Sequence, residues 1–285
     1  KLLLSAFVIC LAGTSIAQES PLWMRHCALS PDGTTIAFTY KGDIYTVPST
    51  GGRATQITTN PAFDTEPVWS PDSKQIAFAS DRMGSLDVFV VSSEGGAPQR
   101  LTTHSGSEKP VAYKDNKHIL FTANIAPSAE DAGFPSGQFQ QVYEVAVTGG
   151  RPAMFTSMPM ECISINKEGV MLYQDKKGYE DPWRKHHQSS ITRDIWLCTL
   201  GPERSFQKIT SFKGEDRNPV WAADGSSFYY LSEEKGSFNI FKNDLTGKSS
   251  RQITNHTTHP VRFLTSDSNG NLCYGYDGGI YTVKE

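Results

Sequence analysis

The stretch 67-PVWSPDSKQIAFASDR-82 reads as strand, tight turn, strand, and a near copy, 219-PVWAADGSSFYYLSEE-234, stands far along the same chain. A shorter relative, 29-LSPDGTTIAFTY-40, lies near the start. Ser70-Pro71-Asp72-Ser73 and Ser30-Pro31-Asp32-Gly33 place proline where φ is preset and Asp or Gly where a tight turn needs them. Flanking runs such as Ile76-Ala77-Phe78-Ala79 are rich in β-formers. Each copy is therefore a hairpin, and the question is what the hairpin repeats within.

Downstream of each hairpin comes a third run with an aromatic centre. It recurs six times, around Tyr45, Phe89, Tyr143, Trp196, Phe241 and Tyr281, at steps (89−45 and so on) of 44, 54, 53, 45 and 40 residues. A fourth run ends in an apolar residue followed by threonine, at Thr58, Thr102, Thr156, Thr210 and Thr254, with steps of 44, 54, 54 and 44. Gly51-Gly52, Gly95-Gly96 and Gly149-Gly150 break the chain before the fourth run, and no helix of useful length fits between the runs.

A four-stranded antiparallel unit of about 40–45 residues in several copies is the pattern of a β-propeller blade. The sequence thus predicts an all-β protein, a six-bladed β-propeller spanning 18–285. Its four-stranded antiparallel blades fall at approximately 22–60, 61–104, 105–158, 159–212, 213–256 and 257–285. A blade cannot bury both faces alone, so stacking supplies the core and ring closure protects the edges. The sixth copy reaches Glu285 after its third strand, which leaves the last blade incomplete. Closure is expected to use either a borrowed strand, with Leu22 to His26 as the candidate, or residues beyond 285.

Composition narrows the function classes. With 27 basic against 30 acidic side chains the net charge is −3, which gives no attraction to nucleic acid or to an anionic membrane surface. Lys1 leads the apolar stretch Leu2 to Ala12, and Ser15-Ile16-Ala17 offers small residues where a signal peptidase reads, so 1–17 is expected to be a cleaved export signal. The destination is the bacterial periplasm or exterior, with no membrane insertion after cleavage. Gly13-Thr14-Ser15 interrupts the apolar run too early for a span. Cys27, Cys162, Cys198 and Cys273 lack metal or framework spacing and read as buried free thiols. A pairing of Cys27 with Cys273 stays open, because the first and last blades of a closed ring are neighbours.

Function often lives where a repeat is broken. Blades three and four exceed the 44-residue step between their second and third strands, at Asn124 to Gln140 and Asp175 to Asp194. Both connections leave on one side of the disc, which places the two long loops side by side. Phe134 on the first, and Trp183, Arg184, Lys185, His186, His187 and Arg193 on the second, are the candidate binding rim for a peptide or a partner domain. A solvated loop with Trp183 packed on its own blade is the equally open bland reading. His186-His187, like His256 and His259, has no carboxylate or cysteine at ligand spacing, so no metal and no cofactor is expected. No G-x-S-x-G elbow, H-E-x-x-H or complete P-loop occurs, and no catalytic residue is assigned.

The blade text SPDGTTIAF and WSPDSKQIAFASDR resembles the TolB-type, WD40-like propeller repeat. More narrowly, 21-PLWMR-25, 41-KGDIYTVP-48, 178-GYEDPWRKHHQSSITRDIW-196, 214-GEDRNPVW-221 and 271-NLCYGYDGGIYT-282 resemble the N-terminal propeller of secreted tricorn-like peptidases of the S41 class. That resemblance implies an exported serine peptidase in which the propeller binds or gates peptide, or docks downstream PDZ-like and catalytic domains of the same chain. An oligomer is compatible with it. A stand-alone periplasmic interaction module of the TolB kind and the propeller half of a prolyl-oligopeptidase-like hydrolase are the alternatives.

Overall fold

The computed structural model describes residues 23–125, 139–179, 189–200 and 204–284. In them the chain forms 23 strands in six antiparallel sheets, five of four strands and one of three. Within each sheet the strands follow chain order. The first strands are β1 (Arg25–Leu29), β5 (Asp64–Trp69), β9 (Lys109–Asp115), β13 (Met160–Ile165), β17 (Asp216–Trp221) and β21 (Arg262–Ser266). Each packs beside its counterpart in the next blade, and β21 packs beside β1, so the six sheets form a closed ring around the first strands.

The second strands are buried on both faces. β6 (Gln75–Ser80) and β18 (Ser227–Ser232) bury nearly every residue because a neighbouring blade covers each side of the sheet, which is why their sequence is a continuous apolar run and not an alternating one. The recurring aromatic of the third strand pairs with an aromatic of the second: Phe38 with Tyr45, Phe78 with Phe89, Phe121 with Tyr143, Tyr230 with Phe241 and Tyr274 with Tyr281, ring centroids 5.7–6.0 Å apart. Such cross-strand pairs stabilise a sheet directly. The recurring threonine has an equally local cause. Its hydroxyl accepts the N–H of the third strand's leading apolar residue, at 2.9 Å for Thr58 with Ile44 and Thr102 with Val88, and 3.0 Å for Thr210 with Ile195 and Thr254 with Ile240.

Tryptophan in the PVW copies ties blade to blade. Trp69 Nε1 donates to Ala28 O at 2.8 Å, and Trp221 Nε1 donates to Ser164 O at 3.1 Å, the equivalent carbonyl of the preceding blade in each case.

Ring closure corrects one expectation. Arg25 and His26, from the stretch expected as a borrowed strand, open the inner strand of blade one, where Cys27, Ala28 and Leu29 are buried against blades two and six. They cannot also extend the outer edge of blade six. Among the described residues the last strand of that sheet is β23 (Gly279–Lys284), paired to β22 (Asn271–Tyr276). Across the seam the described residues of the two blades pack laterally. Met24 N–H donates to Gly278 O at 3.1 Å, Leu29 N–H to Thr265 Oγ1 at 3.0 Å, and Ser268 N–H to Pro31 O at 3.0 Å. Gly33, at φ +77°, lets the turn approach Asp267 so closely that a Cβ would lie 2.2 Å from Oδ2.

Candidate functional site

Every inner strand shifts register near its start, and in five of the six the residue at the bulge has positive φ without being glycine: His26 (50°), Glu66 (56°), Cys162 (49°), Asn218 (53°) and Phe263 (57°). Blade three has Pro110 at this position, whose ring forbids positive φ, and its register shifts without it. Left-handed non-glycine residues cost about 1 kcal/mol or more each, so a ring of five is a systematic feature of the fold. Bulges re-aim side chains, and here they gather charge around the axis.

Glu66 of blade two accepts from Lys109 Nζ of blade three at 2.6 Å. His26 of blade one lies in the field of Glu66, Lys109 and Arg25, but burial dominates and holds its imidazole below the ordinary range. On the other side, Arg193 Nε donates to Glu161 Oε2 at 3.0 Å and Nη1 to Glu215 Oε1 at 3.4 Å. Arg217 shares that Glu215 oxygen at 3.4 Å, with its guanidinium 3.9 Å from the centre of the Phe238 ring. Lys176 completes the group, 2.9 Å from Glu161. Burial would push the Glu161 carboxyl up, yet Arg193 and Lys176 outweigh it and hold it below the usual carboxylate range. Burial pushes Arg217 down to about 10, with Glu215 opposing and Arg262 adding to the shift.

The cations Lys109, Lys176, Arg193 and Arg217 are thus paired with Glu66, Glu161 and Glu215, and Glu233 adds a further buried carboxylate that accepts the Glu215 N–H at 3.1 Å. Cys162 is exposed within this ring. Desolvation, then the neighbouring Glu161, raises its thiol pKa and favours the protonated form.

The blade-four insertion grows out of this ring. Asp175 and Asp194 zip its neck, Asp175 N–H donating to Asp194 O at 3.1 Å and Asp194 N–H to Asp175 Oδ1 at 2.8 Å. Lys177 Nζ donates to Thr192 O at 2.7 Å and pairs with Asp194. Arg193 therefore does not stand on an open rim. It is 6% exposed and turned inward, linking the neck to the inner strands. Phe134, Trp183, Arg184, Lys185, His186 and His187 lie outside the described residues. Among the described residues no group of His, Cys, Asp and Glu is placed to hold a metal. His256 stacks on Tyr276, centroids 3.8 Å apart, and His259 lies 3.4 Å from Asp277. Sequence reasoning missed Glu66, Lys109, Glu161 and Arg217. Aligning the inner strands around the bulge would have shown charge recurring there, but not that the bulge turns it inward.

Residues 21–285 match the family model described as the tricorn protease N-terminal beta propeller domain. The chain is 26% identical over 268 residues to a tricorn protease homolog of Saccharolobus solfataricus, and 24% identical over 259 residues to tricorn protease homolog 1 of Streptomyces coelicolor. Each alignment covers 90% of this chain and 23% of the relative. The chain thus spans about a quarter of the length of those relatives. Among solved structures, the tricorn protease crystal structure superposes with TM-score 0.77 at 20% identity, over 93% of this chain and 25% of that one. TolB from Acinetobacter baumannii follows the same fold at TM-score 0.62 and 18% identity, over 85% of this chain and 56% of that one.

Proposed function

Because the chain belongs to the tricorn protease N-terminal β-propeller family, we propose that it is the peptide-binding and gating module of an exported tricorn-like serine peptidase, acting ahead of a catalytic core. One observation carries this reading. The neck of the longest blade insertion is bonded through Arg193 into a ring of charged side chains drawn from the inner strands of several blades. A loop anchored in this way moves together with the mouth of the ring, so a peptide or neighbouring domain gripped by the loop is presented to the axis.

In this reading the candidate rim of Trp183, Arg184, Lys185, His186 and His187, with Phe134 on the adjacent loop, supplies the outer grip. Arg193 is a positioning residue beneath it. The test is turnover by the whole protein of a long unstructured polypeptide against a short chromogenic peptide. Trp183→Ala combined with Arg184→Ala is expected to raise KM for the polypeptide about tenfold and to leave the short peptide unaffected, since a lost aromatic anchor and one charge contact are worth about 1–3 kcal/mol. Equal kinetics on both substrates would remove the loop from the mechanism.

A further inference from the structure

The seam between blades one and six places two thiols face to face. Cys27 lies on the inner strand of blade one and Cys273 on the second strand of blade six, 246 residues apart in sequence (273−27). They are 3% and 0% exposed and share one apolar cluster with Leu29, Ile36 and Phe38. β1 packs directly along β22. Cys27 Sγ donates to Phe263 O at 3.4 Å and has the Cys273 thiol as a side-chain hydrogen-bond partner. The other two cysteines among the described residues stand apart, Cys162 exposed on the inner strand of blade four and Cys198 in the core of that blade.

We propose that Cys27 and Cys273 are a redox-dependent seam: a disulfide between them covalently closes the propeller at the junction of its first and last blades. The donor is a small-molecule or protein disulfide. One cysteine sulfur attacks it to form a mixed disulfide and release one donor thiol. The second cysteine then attacks the protein-bound sulfur, forming Cys27–Cys273 and releasing the other. Two protein thiols become one disulfide, and the donor disulfide becomes two thiols, carrying the two electrons and two protons. The hydrogen bond with Cys273, and then burial, hold Cys27 protonated in the closed ring, so exchange takes place while the seam is open, during folding or local opening. In a reducing compartment the same pair remains a packed dithiol. This inference is independent of the peptide-gating reading.

Closing a loop of nearly the whole domain restricts the unfolded chain strongly. The test uses the full chain, unfolded under reduction and refolded in mixtures of oxidised and reduced glutathione, then alkylated and mapped by peptide mass spectrometry. The expected product is a Cys27–Cys273 cross-link, with Tm about 5–10 °C above that of the reduced protein. Cys273→Ala should abolish both the cross-link and the redox dependence of Tm. A Cys162→Ala/Cys198→Ala variant should keep both, which covers the case in which changing a seam residue harms folding. Free thiols at Cys27 and Cys273 after refolding in excess oxidised glutathione, or a cross-link formed with Cys162 or Cys198 in their place, would overturn the proposal.

Discussion

Blades two and five are written in nearly the same text, 67-PVWSPDSKQIAFASDR-82 and 219-PVWAADGSSFYYLSEE-234, and they fold alike, yet one buried carboxylate meets opposite surroundings in them. Asp64 and Asp216 open the two inner strands, and each N–H bonds a carbonyl of the preceding blade. In blade two, Arg82 at the end of the second hairpin strand reaches back to both oxygens of Asp64, at 3.0 and 2.9 Å, and stacks 4.5 Å from the Phe89 ring. In blade five the aligned residue is Glu234. Burial, with Asp194 and Glu234 adding repulsion, pushes Asp216 up to about 7 against the hydroxyls of Ser232 and Thr210. Blade three repeats the deficiency. Ile125 stands where Arg82 does in blade two, and burial, with Asp87 nearby, raises the Glu108 carboxyl. The fold tolerates a carboxylate at this position whether or not it is paired, but an unpaired one ties stability to pH.

Breaking the pair in blade two is expected to have the largest effect. Arg82→Ala leaves a fully buried charge uncompensated and should cost about 3–5 kcal/mol in denaturant unfolding. A loss below about 1 kcal/mol would mean that other groups already stabilise Asp64.

Blade five should tie stability to pH through Asp216. The folded pKa of Asp216 lies near 7 and the unfolded one near 4, so the folded state binds more protons between them and stability falls as pH rises through that window. Asp216→Asn should remove about 2–4 kcal/mol of that fall, and Glu234→Arg should reduce it by rebuilding the blade-two pair. Both are read from unfolding free energies at pH 5 and pH 8. An unchanged pH slope in both variants would show that Asp216 does not titrate in this range.

The smallest effect tests what the two blades share. Trp69→Phe and Trp221→Phe each delete one interblade indole hydrogen bond and should cost about 1 kcal/mol or slightly more, nearly equal in the two blades. A twofold inequality would locate a difference in packing that the common text hides.

Much of this was legible from residues alone. The recurring aromatic and the recurring threonine marked the blades because each answers a local need, a cross-strand ring contact and a cap on one N–H. The exchange of Arg82 for Glu234 stands in the aligned text, but only the folded hairpin shows that this position faces Asp64 or Asp216. The charged mouth was not legible. Glu66, Lys109, Glu161 and Arg217 carry no mark in the sequence, and Arg193 reads there as a candidate rim residue, because facing in or out depends on a bulge and on which blade lies alongside.

The sequence by itself determined the strand count, the blade number and the places where the repeat is interrupted, since hairpin turns, apolar runs and caps act between residues close along the chain. The tertiary structure alone decided that the first strand of blade one stays at the axis, that Cys27 meets Cys273 across the seam, and that Arg193 turns inward to Glu161 and Glu215. Those outcomes join residues separated by tens to hundreds of positions, and their energies exist only once lateral packing of six sheets has closed the ring.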